Sequence, residues 1–234
     1  MHKIDDQLAK VTARIHQAAT AAGRNPQTVQ LIAVSKTQAA QALAEAYAWG
    51  QRAFGENYLQ EALDKQLQLA NLTGIEWHFI GPIQSNKTRP IATHFGWVHS
   101  VDRLKIAQRL SEQRPPDLPP LNICVQVNID DETTKSGVSL AELPDLVAAI
   151  SQLPRLRLRG LMALPAATNN PAQQRAAFAK LRSALESLNA QGFGLDCLSM
   201  GMSGDMEAAI AEGATFVRVG TDIFGSRTKA TVEQ

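Results

Sequence analysis

Residues 196–220, DCLSMGMSGDMEAAIAEGATFVRVG, contain two short apolar runs with a helical segment between them. The runs DCLSMG (196–201) and TFVRVG (215–220) have the length of buried strands. The intervening segment repeats its apolar residues at the spacing of a helix that covers one face of a sheet. A strand, a helix and a second strand in so short a stretch predict a β–α–β unit with parallel strands.

The same alternation extends outward over the rest of the chain. Six further strand-like runs precede this unit: LIAVS (31–35), AFG (53–55), EWHFIG (76–81), WVHS (97–100), NICVQVN (122–128) and RLRGLMAL (157–164). Helical periodicity lies between them, and QSNKTRPIATHF (84–95) is the weakest of these helices because Pro90 interrupts it. Before the first strand, Ile4, Leu8, Val11 and Ile15 predict an extra N-terminal helix.

Eight strands that alternate with helices predict the α/β class and a single (β/α)8 TIM barrel over residues 1–234. The alternative is an open, doubly wound sheet, which usually needs fewer strands. The proline-rich RPPDLPP (114–120) could be an interdomain linker, but the alternation continues on both sides of it. We interpret it as a loop inside one domain.

Composition excludes several classes of protein. Hydrophobic residues make up 44% of the 234, and 23 Lys and Arg face 22 Asp and Glu, for a net charge of +1. This balance argues against a disordered chain and against non-specific nucleic-acid binding. We expect neither a signal peptide nor a membrane span, and Cys124 and Cys197 are predicted to be buried thiols in a reducing cytoplasm.

Lys36 is the first candidate for chemistry, because functional groups of such barrels lie at the carboxyl ends of the strands. It directly follows an apolar strand, and partial burial there would favour a neutral amine that can form a Schiff base with a carbonyl compound. A solvated lysine at a strand end is the alternative. Lys135, in DDETTKSG (130–137), is a second lysine whose acidic surroundings favour the charged form.

The loops after the last two strands are suited to a phosphate group, which barrels of this kind often bind there. Ser203 and Gly204 directly precede a predicted helix, and Gly220–Thr221 follows the last strand. Hydroxyls and backbone N–H groups at such positions can hold an anion. Asp205 and Glu207 oppose this unless their side chains point away, and an ordinary helix cap and turn is the alternative.

Arg218 lies inside the last strand, where both faces of a barrel strand are covered, so its guanidinium needs a buried partner. That partner is either a carboxylate at the rim or an acceptor on a ligand, such as a ring nitrogen or an anion. The five histidines form no metal-binding motif, and GMSG (201–204) only resembles a nucleophile elbow. We therefore predict neither a metal site nor a set of catalytic residues.

Seven segments together resemble the pyridoxal-phosphate homeostasis protein family. They are AVSKT (33–37), FGENYLQE (54–61), EWHFIGPIQSNK (76–87), VHSVDRLKIA (98–107), VQVNIDDETTKSG (125–137), LRGLMALP (158–165) and LSMGMSGDMEAAIAEGATFVRVGTDIFGSR (198–227). The resemblance covers nearly the whole chain. One departure is Asp222, where the common family pattern has alanine after Gly-Thr.

The resemblance implies a barrel of the fold-type III class, similar to the N-terminal domain of alanine racemase, with pyridoxal 5'-phosphate as cofactor. Lys36 would form the Schiff base, Arg218 would face the pyridine nitrogen, and Asn57 would lie beside the ring. The residues implied to hold the phosphate are Ser203, Gly204, Gly220 and Thr221.

The function that the resemblance implies is reversible binding of pyridoxal phosphate in vitamin B6 and amino-acid homeostasis, without evident catalysis. Apoenzymes that use this cofactor would be transient partners, and the chain would be a monomer or a weak homodimer. Two features argue against catalysis: we expect no C-terminal β domain of the racemase kind, and an arginine leaves the ring a weak electron sink. The alternatives are a single-domain racemase or lyase, and a Schiff-base aldolase with Glu56 as its base.

Overall fold

Eight parallel strands close into a barrel in chain order in the computed structural model, which describes residues 4–131 and 136–225. The strands are β1 (Gln30–Val34), β2 (Ala53–Glu56), β3 (Glu76–Phe79), β4 (Trp97–Val101), β5 (Leu121–Val127), β6 (Leu156–Ala163), β7 (Cys197–Ser199) and β8 (Phe216–Val219). The ring closes where Ile32 of β1 lies beside Arg218 of β8. The (β/α)8 prediction is confirmed, and the open-sheet alternative is wrong.

Helices surround this sheet. They are α1 (Ile4–Ala21), α2 (Ala40–Trp49), α3 (Leu59–Gln68), α4 (Thr88–His94), α5 (Leu104–Gln113), α6 (Leu143–Ser151), α7 (Pro171–Ala190), α8 (Met206–Ala211) and α9 (Thr221–Phe224), with short 3-10 turns at Pro26–Thr28 and Ser85–Lys87. The extra helix α1 packs on α2, α8 and α9, and its buried face includes Leu8, Val11 and Ile15.

The segment around Pro90 forms a better helix than its sequence suggested. Pro90 is the third residue of α4, which follows the 3-10 turn at Ser85–Lys87. The first N–H groups of a helix have no partner within it, so the missing proline donor breaks no hydrogen bond there. Whether this proline is tolerated depends on its distance from the start of the helix, and the sequence pattern locates that start poorly.

The barrel interior is a second apolar cluster, separate from the layer between sheet and helices. It contains Ile32, Ala53, Trp97, Cys124, Met162, Cys197 and Phe216. Both cysteines are free and buried, as predicted, and burial raises the pKa of Cys197 to about 12 and that of Cys124 well above its usual value. None of the described helices combines the length and apolar character required to cross a membrane.

Candidate functional site

A cavity of about 480 Å³ lies at the carboxyl ends of the strands. Its lining consists of Lys36, Asn57, Ile80, Pro82, Gln126, Val127, Asn128, Ser136, Leu164, Pro165 and Met202. This volume is in the range of roughly 300–1,000 Å³ typical of small-molecule sites. A smaller cavity of about 360 Å³ adjoins it, with Pro165 and Met202 in both walls and Gly204 in its lining.

Lys36 is half-buried and lines the larger cavity, where the strand-end argument expected it. The chain turns sharply after β1, because Gln38 N–H donates to the carbonyl of Ser35 at 3.0 Å. Thr37 takes a left-handed conformation, with φ of 66°, and its N–H donates to Oε1 of Glu61 at 2.5 Å. Such a conformation is unfavourable for threonine, so the surrounding contacts must hold this turn in place.

Asn57, which only the family resemblance singled out, also lines the cavity. Its Oδ1 atom is buried and has no hydrogen-bond partner among the described residues. Gly81, at the end of the neighbouring strand, packs against the Asn57 backbone so closely that a Cβ atom there would lie 2.2 Å from the Asn57 carbonyl oxygen. The glycine therefore permits the close approach of these two strand ends, and a buried amide oxygen remains for a ligand donor.

The four residues predicted to hold a phosphate lie in the loops after β7 and β8, which are adjacent strands. The backbone N–H groups of Ser203, Gly204, Gly220 and Thr221 donate no hydrogen bond within residues 4–131 and 136–225. Gly220 packs on Val34, two residues before Lys36, which puts the second loop beside the end of β1. Two neighbouring loops with unpaired N–H groups can accept an anion.

Two of the three acidic residues in these loops are paired with Arg14, whereas Asp205 lines the smaller cavity together with Gly204. Arg14 of α1 donates to Oε1 of Glu207 at 2.9 Å, to Oδ2 of Asp222 at 2.5 Å and to the carbonyl of Ser203 at 3.0 Å. Oδ1 of Asp205 accepts the N–H of Met202 at 2.6 Å, within its own loop. Glu207 therefore does not oppose an anion in the loops, because its charge is paired with Arg14. Arg14, which lies far from both loops in the chain, was not identified from the sequence.

Arg218 is buried and is absent from the described lining of the cavity. Its Nη1 donates to Oγ of Ser199 at 2.7 Å, and its Nη2 donates to the carbonyl of Ala163 at 3.0 Å. Burial lowers its pKa to about 10, while Asp205 and Cys124 act in the opposite direction. Neutral acceptors therefore stand in place of the rim carboxylate, which was one of the two partners considered from the sequence. The guanidinium stays charged at neutral pH.

Glu56 has partners other than Lys36. Its Oε1 accepts from Oγ of Ser35 at 2.6 Å and from Nζ of the buried Lys65 at 2.8 Å. Burial raises the pKa of Glu56, and Lys65 partly offsets that rise. Because Glu56 is not among the lining residues of the cavity, the structure lends no support to its role as an aldolase base. Lys135 lies outside the described residues, and the described part of the chain contains no cluster of possible metal ligands.

A closed barrel of eight parallel strands with a lysine in the cavity at its mouth is the arrangement of the alanine racemase N-terminal barrel. Residues 7–228 match the family described as "Alanine racemase, N-terminal domain". The alanine racemase of Corynebacterium glutamicum shares the fold with a TM-score of 0.66 at 21% identity, and the match covers 97% of this chain and 63% of that one.

Two relatives of higher sequence identity show to which family within this class the chain belongs. The chain is 65% identical over 227 residues to the "Pyridoxal phosphate homeostasis protein" of Pseudomonas aeruginosa, which covers 97% of both. It is 40% identical to PipY of Synechococcus elongatus, whose structure with PLP bound superposes with a TM-score of 0.83 over 95% of this chain and 100% of that one. The chain belongs to the family of pyridoxal phosphate homeostasis proteins.

Proposed function

We propose that this protein binds pyridoxal 5'-phosphate reversibly in the cavity at Lys36 and acts in vitamin B6 homeostasis without catalysing a reaction. The observation that carries the proposal is the pairing of a half-buried lysine with two loops of unpaired backbone N–H groups beside it. The name of the Pseudomonas relative and the PLP bound to PipY support the same ligand here.

The residues present fit the chemistry of this ligand. Pyridoxal phosphate supplies an aldehyde, which condenses reversibly with a neutral primary amine and releases one water, and a phosphate that accepts several hydrogen bonds. Lys36 would hold the aldehyde end, and Asn57, with its unpaired buried oxygen, would lie beside the ring. Ser203, Gly204, Gly220 and Thr221 would donate to the phosphate.

The lining of the cavity favours retention of the ligand over chemistry on it. Racemisation or elimination needs a second acid or base within reach of the substrate. Lys36 is the one titratable side chain among the described residues that line the cavity. Arg218, which stays protonated, would donate to the pyridine nitrogen and keep that nitrogen unprotonated, so the ring would be a weak electron sink.

Reversible capture suits a protein that buffers a reactive aldehyde and passes it to apoenzymes, which would be transient partners. The free, buried thiols of Cys124 and Cys197 suit a reducing cytoplasm.

The test is the visible spectrum of the purified protein with added pyridoxal phosphate, before and after borohydride, followed by mapping of the modified peptide. We expect a yellow protein with the label on Lys36, and no label on Lys36→Ala, whose fold is checked by circular dichroism. Lys105→Ala, which changes an exposed lysine on α5, should label as wild type does. A colourless protein that takes up no pyridoxal phosphate would overturn the proposal, and label on Lys135 would reassign the lysine.

Catalysis is tested separately by incubating the loaded protein with L-alanine and other amino acids. We expect no change in their enantiomeric composition and no keto-acid product. Turnover that is lost in Lys36→Ala would favour the racemase or lyase alternative instead.

A further inference from the structure

A continuous chain of hydrogen bonds crosses the barrel interior from the amino end of β3 to Arg218. Oε2 of Glu76 lies 3.2 Å from Nε2 of His78, and Nδ1 of His78 lies 2.9 Å from Nε2 of His99. Nδ1 of His99 lies 2.8 Å from Oγ of Ser199, and this Oγ accepts a hydrogen bond from Nη1 of Arg218 at 2.7 Å. His78, His99 and Ser199 are fully buried, so solvent competes with none of the internal bonds.

The two ends of this chain determine the direction of every bond in it. An arginine only donates and an ionised carboxylate only accepts. Ser199 therefore accepts from Arg218 and donates its own hydrogen to Nδ1 of His99. His99 then donates from Nε2 to Nδ1 of His78, and His78 donates from Nε2 to Glu76. One arrangement of protons satisfies all five groups, with both imidazoles neutral and both protonated on Nε2.

The surroundings of these hydrogen bonds favour neutral imidazoles. Burial lowers the pKa of both imidazoles, although Glu76 partly offsets this for His78, and the charge of Arg218 lowers the pKa of His99 further. His78 stacks on Trp97, with 5.7 Å between ring centroids, and Phe216 meets the edges of both imidazoles. Asp205 and Cys124 are the other titratable groups that act on Arg218, and both oppose the lowering of its pKa by burial.

We infer that His99 and Ser199 are positioning residues that hold the Arg218 guanidinium in the orientation in which its remaining N–H groups meet the bound ligand. The inference rests on the proposed function, in which Arg218 faces the ring nitrogen. Ser199 and the carbonyl of Ala163 take two of the five N–H donors of Arg218, and they are its acceptors within the described residues. Their positions on β7 and β6 fix the plane of the guanidinium, because two acceptors at separate nitrogens prevent its rotation.

The order of the groups in this series of hydrogen bonds explains why a serine and two histidines are needed. The guanidinium needs a neutral acceptor, since a carboxylate at Ser199 would compete with the ligand for its charge. A hydroxyl accepts from Arg218 only if its own hydrogen is drawn elsewhere, and His99 supplies that acceptor. Loss of His99 leaves Ser199 free to rotate, and therefore frees Arg218.

The experiment compares Ser199→Ala, His99→Leu and His99→Gln with wild type and with Ser111→Ala. Ser111 is a matched control, because it is a buried serine whose hydroxyl donates to the carbonyl of Pro154 outside the barrel interior. The glutamine keeps one acceptor and one donor, whereas leucine keeps neither. The first readout is titration with pyridoxal phosphate, with the position of the visible band followed against pH.

We expect Ser199→Ala and His99→Leu to weaken binding by about tenfold or more, the loss typical of one hydrogen bond to a charged group, and to alter the pH dependence of the band. His99→Gln should restore much of both, and Ser111→Ala should leave both unchanged. Binding and band that match those of Ser111→Ala in all three variants would overturn the inference.

A second readout uses the protein without ligand and separates this inference from the proposed function. Nitrogen-15 NMR should show both imidazoles neutral with hydrogen on Nε2, and restricted rotation of the Arg218 guanidinium that Ser199→Ala and His99→Leu release. If wild type binds no pyridoxal phosphate, the proposed function fails while these signals still decide the positioning role. Free rotation in wild type, or hydrogen on Nδ1 of His99, would exclude that role.

Discussion

Nη1 of Arg14, on the first helix, lies 2.5 Å from Oδ2 of Asp222, in the helix that follows the last strand. The same guanidinium contacts Glu207 and the carbonyl of Ser203, so one side chain ties α1 to both loops that we propose for the phosphate. The carboxylate of Asp222, the residue that the family resemblance singled out as a departure, is paired with Arg14. Helix α1, which precedes the eight strand–helix units, therefore stabilises the loops at the mouth of the barrel.

Arg14→Ala should weaken retention of pyridoxal phosphate by a few-fold, because both loops lose a common anchor. Asp222→Ala removes one of the three contacts of Arg14, and this half-exposed pair should contribute about 0–1 kcal/mol to the free energy of unfolding. Urea unfolding and ligand titration of both single variants and the double variant measure the coupling. Arg182→Ala is the control, because it removes a surface arginine that pairs with Glu186 and Glu212. If Arg14→Ala and Arg182→Ala changed ligand retention equally, Arg14 would have no special role in stabilising the two loops.

Ser203→Ala should weaken binding of pyridoxal phosphate by about 1.5–3 kcal/mol, the usual loss for one hydrogen bond to a charged group. The backbone N–H groups of the loop remain, so binding should persist at higher ligand concentration. Equilibrium titration measures the difference, and Ser151→Ala, which removes an exposed hydroxyl on α6, is the control. Identical affinities for the two variants would remove the Ser203 hydroxyl from the site.

Gly81→Ala should destabilise the fold by about 1–3 kcal/mol, because its Cβ would overlap the backbone of Asn57 and force the ends of β2 and β3 apart. Displacement of Asn57 should also weaken ligand binding. Gly96→Ala is the matched control, since a Cβ there meets no atom within 4 Å among the described residues. Equal midpoints of urea unfolding for the two variants would show that the strand ends tolerate a side chain.

Acid should destabilise the protein in two stages. The pKa values of His78 and His99 are lowered in the fold, so the unfolded chain binds protons first and the free energy of unfolding falls as the pH drops below about 6.5. The pKa of Glu76 is lowered to about 2, chiefly by its hydrogen bond from His78, so its contribution is present above its ordinary value of 4.5 and is lost between there and about 2.

Urea unfolding at several pH values resolves these stages. Glu76→Gln should flatten the lower one and His99→Gln the upper one, each in comparison with wild type. The size of the lower stage will be reduced by solvent, since the Glu76 side chain is 41% exposed. A Glu76→Gln profile that parallels wild type below pH 4.5 would show that this carboxylate contributes nothing to acid sensitivity.

Cys124 and Cys197 should resist thiol reagents in the folded protein and react only after unfolding. Both are buried, and burial raises the pKa of each, so the reactive thiolate is scarce at neutral pH. Reaction with a chromogenic disulfide, with and without denaturant, measures this. Fast modification of either thiol in the native state would indicate local opening of the barrel.

The amino-acid sequence determined the eight strands, and the predicted ends lie within two residues of the observed ones. Each strand is short, apolar and bounded by a helix or a turn, and the carboxyl ends of parallel strands meet at one edge. That rule alone led to Lys36 and to the loops after β7 and β8, and the structure places Lys36 in the cavity beside them. Pro90 was misjudged because helix tolerance of proline depends on the distance from the first turn, which periodicity locates poorly.

Only the tertiary structure decided which side chains meet across the barrel. Arg14 and Asp222 are 208 residues apart in sequence and His99 and Ser199 are 100 apart, and no local pattern predicts that either pair touches. Arg218 was expected to meet a rim carboxylate or a ligand, and its acceptors within the described residues are the hydroxyl of Ser199 and the carbonyl of Ala163. Secondary structure follows from near-neighbour spacing, whereas these contacts arise because closure of the barrel brings distant strands together.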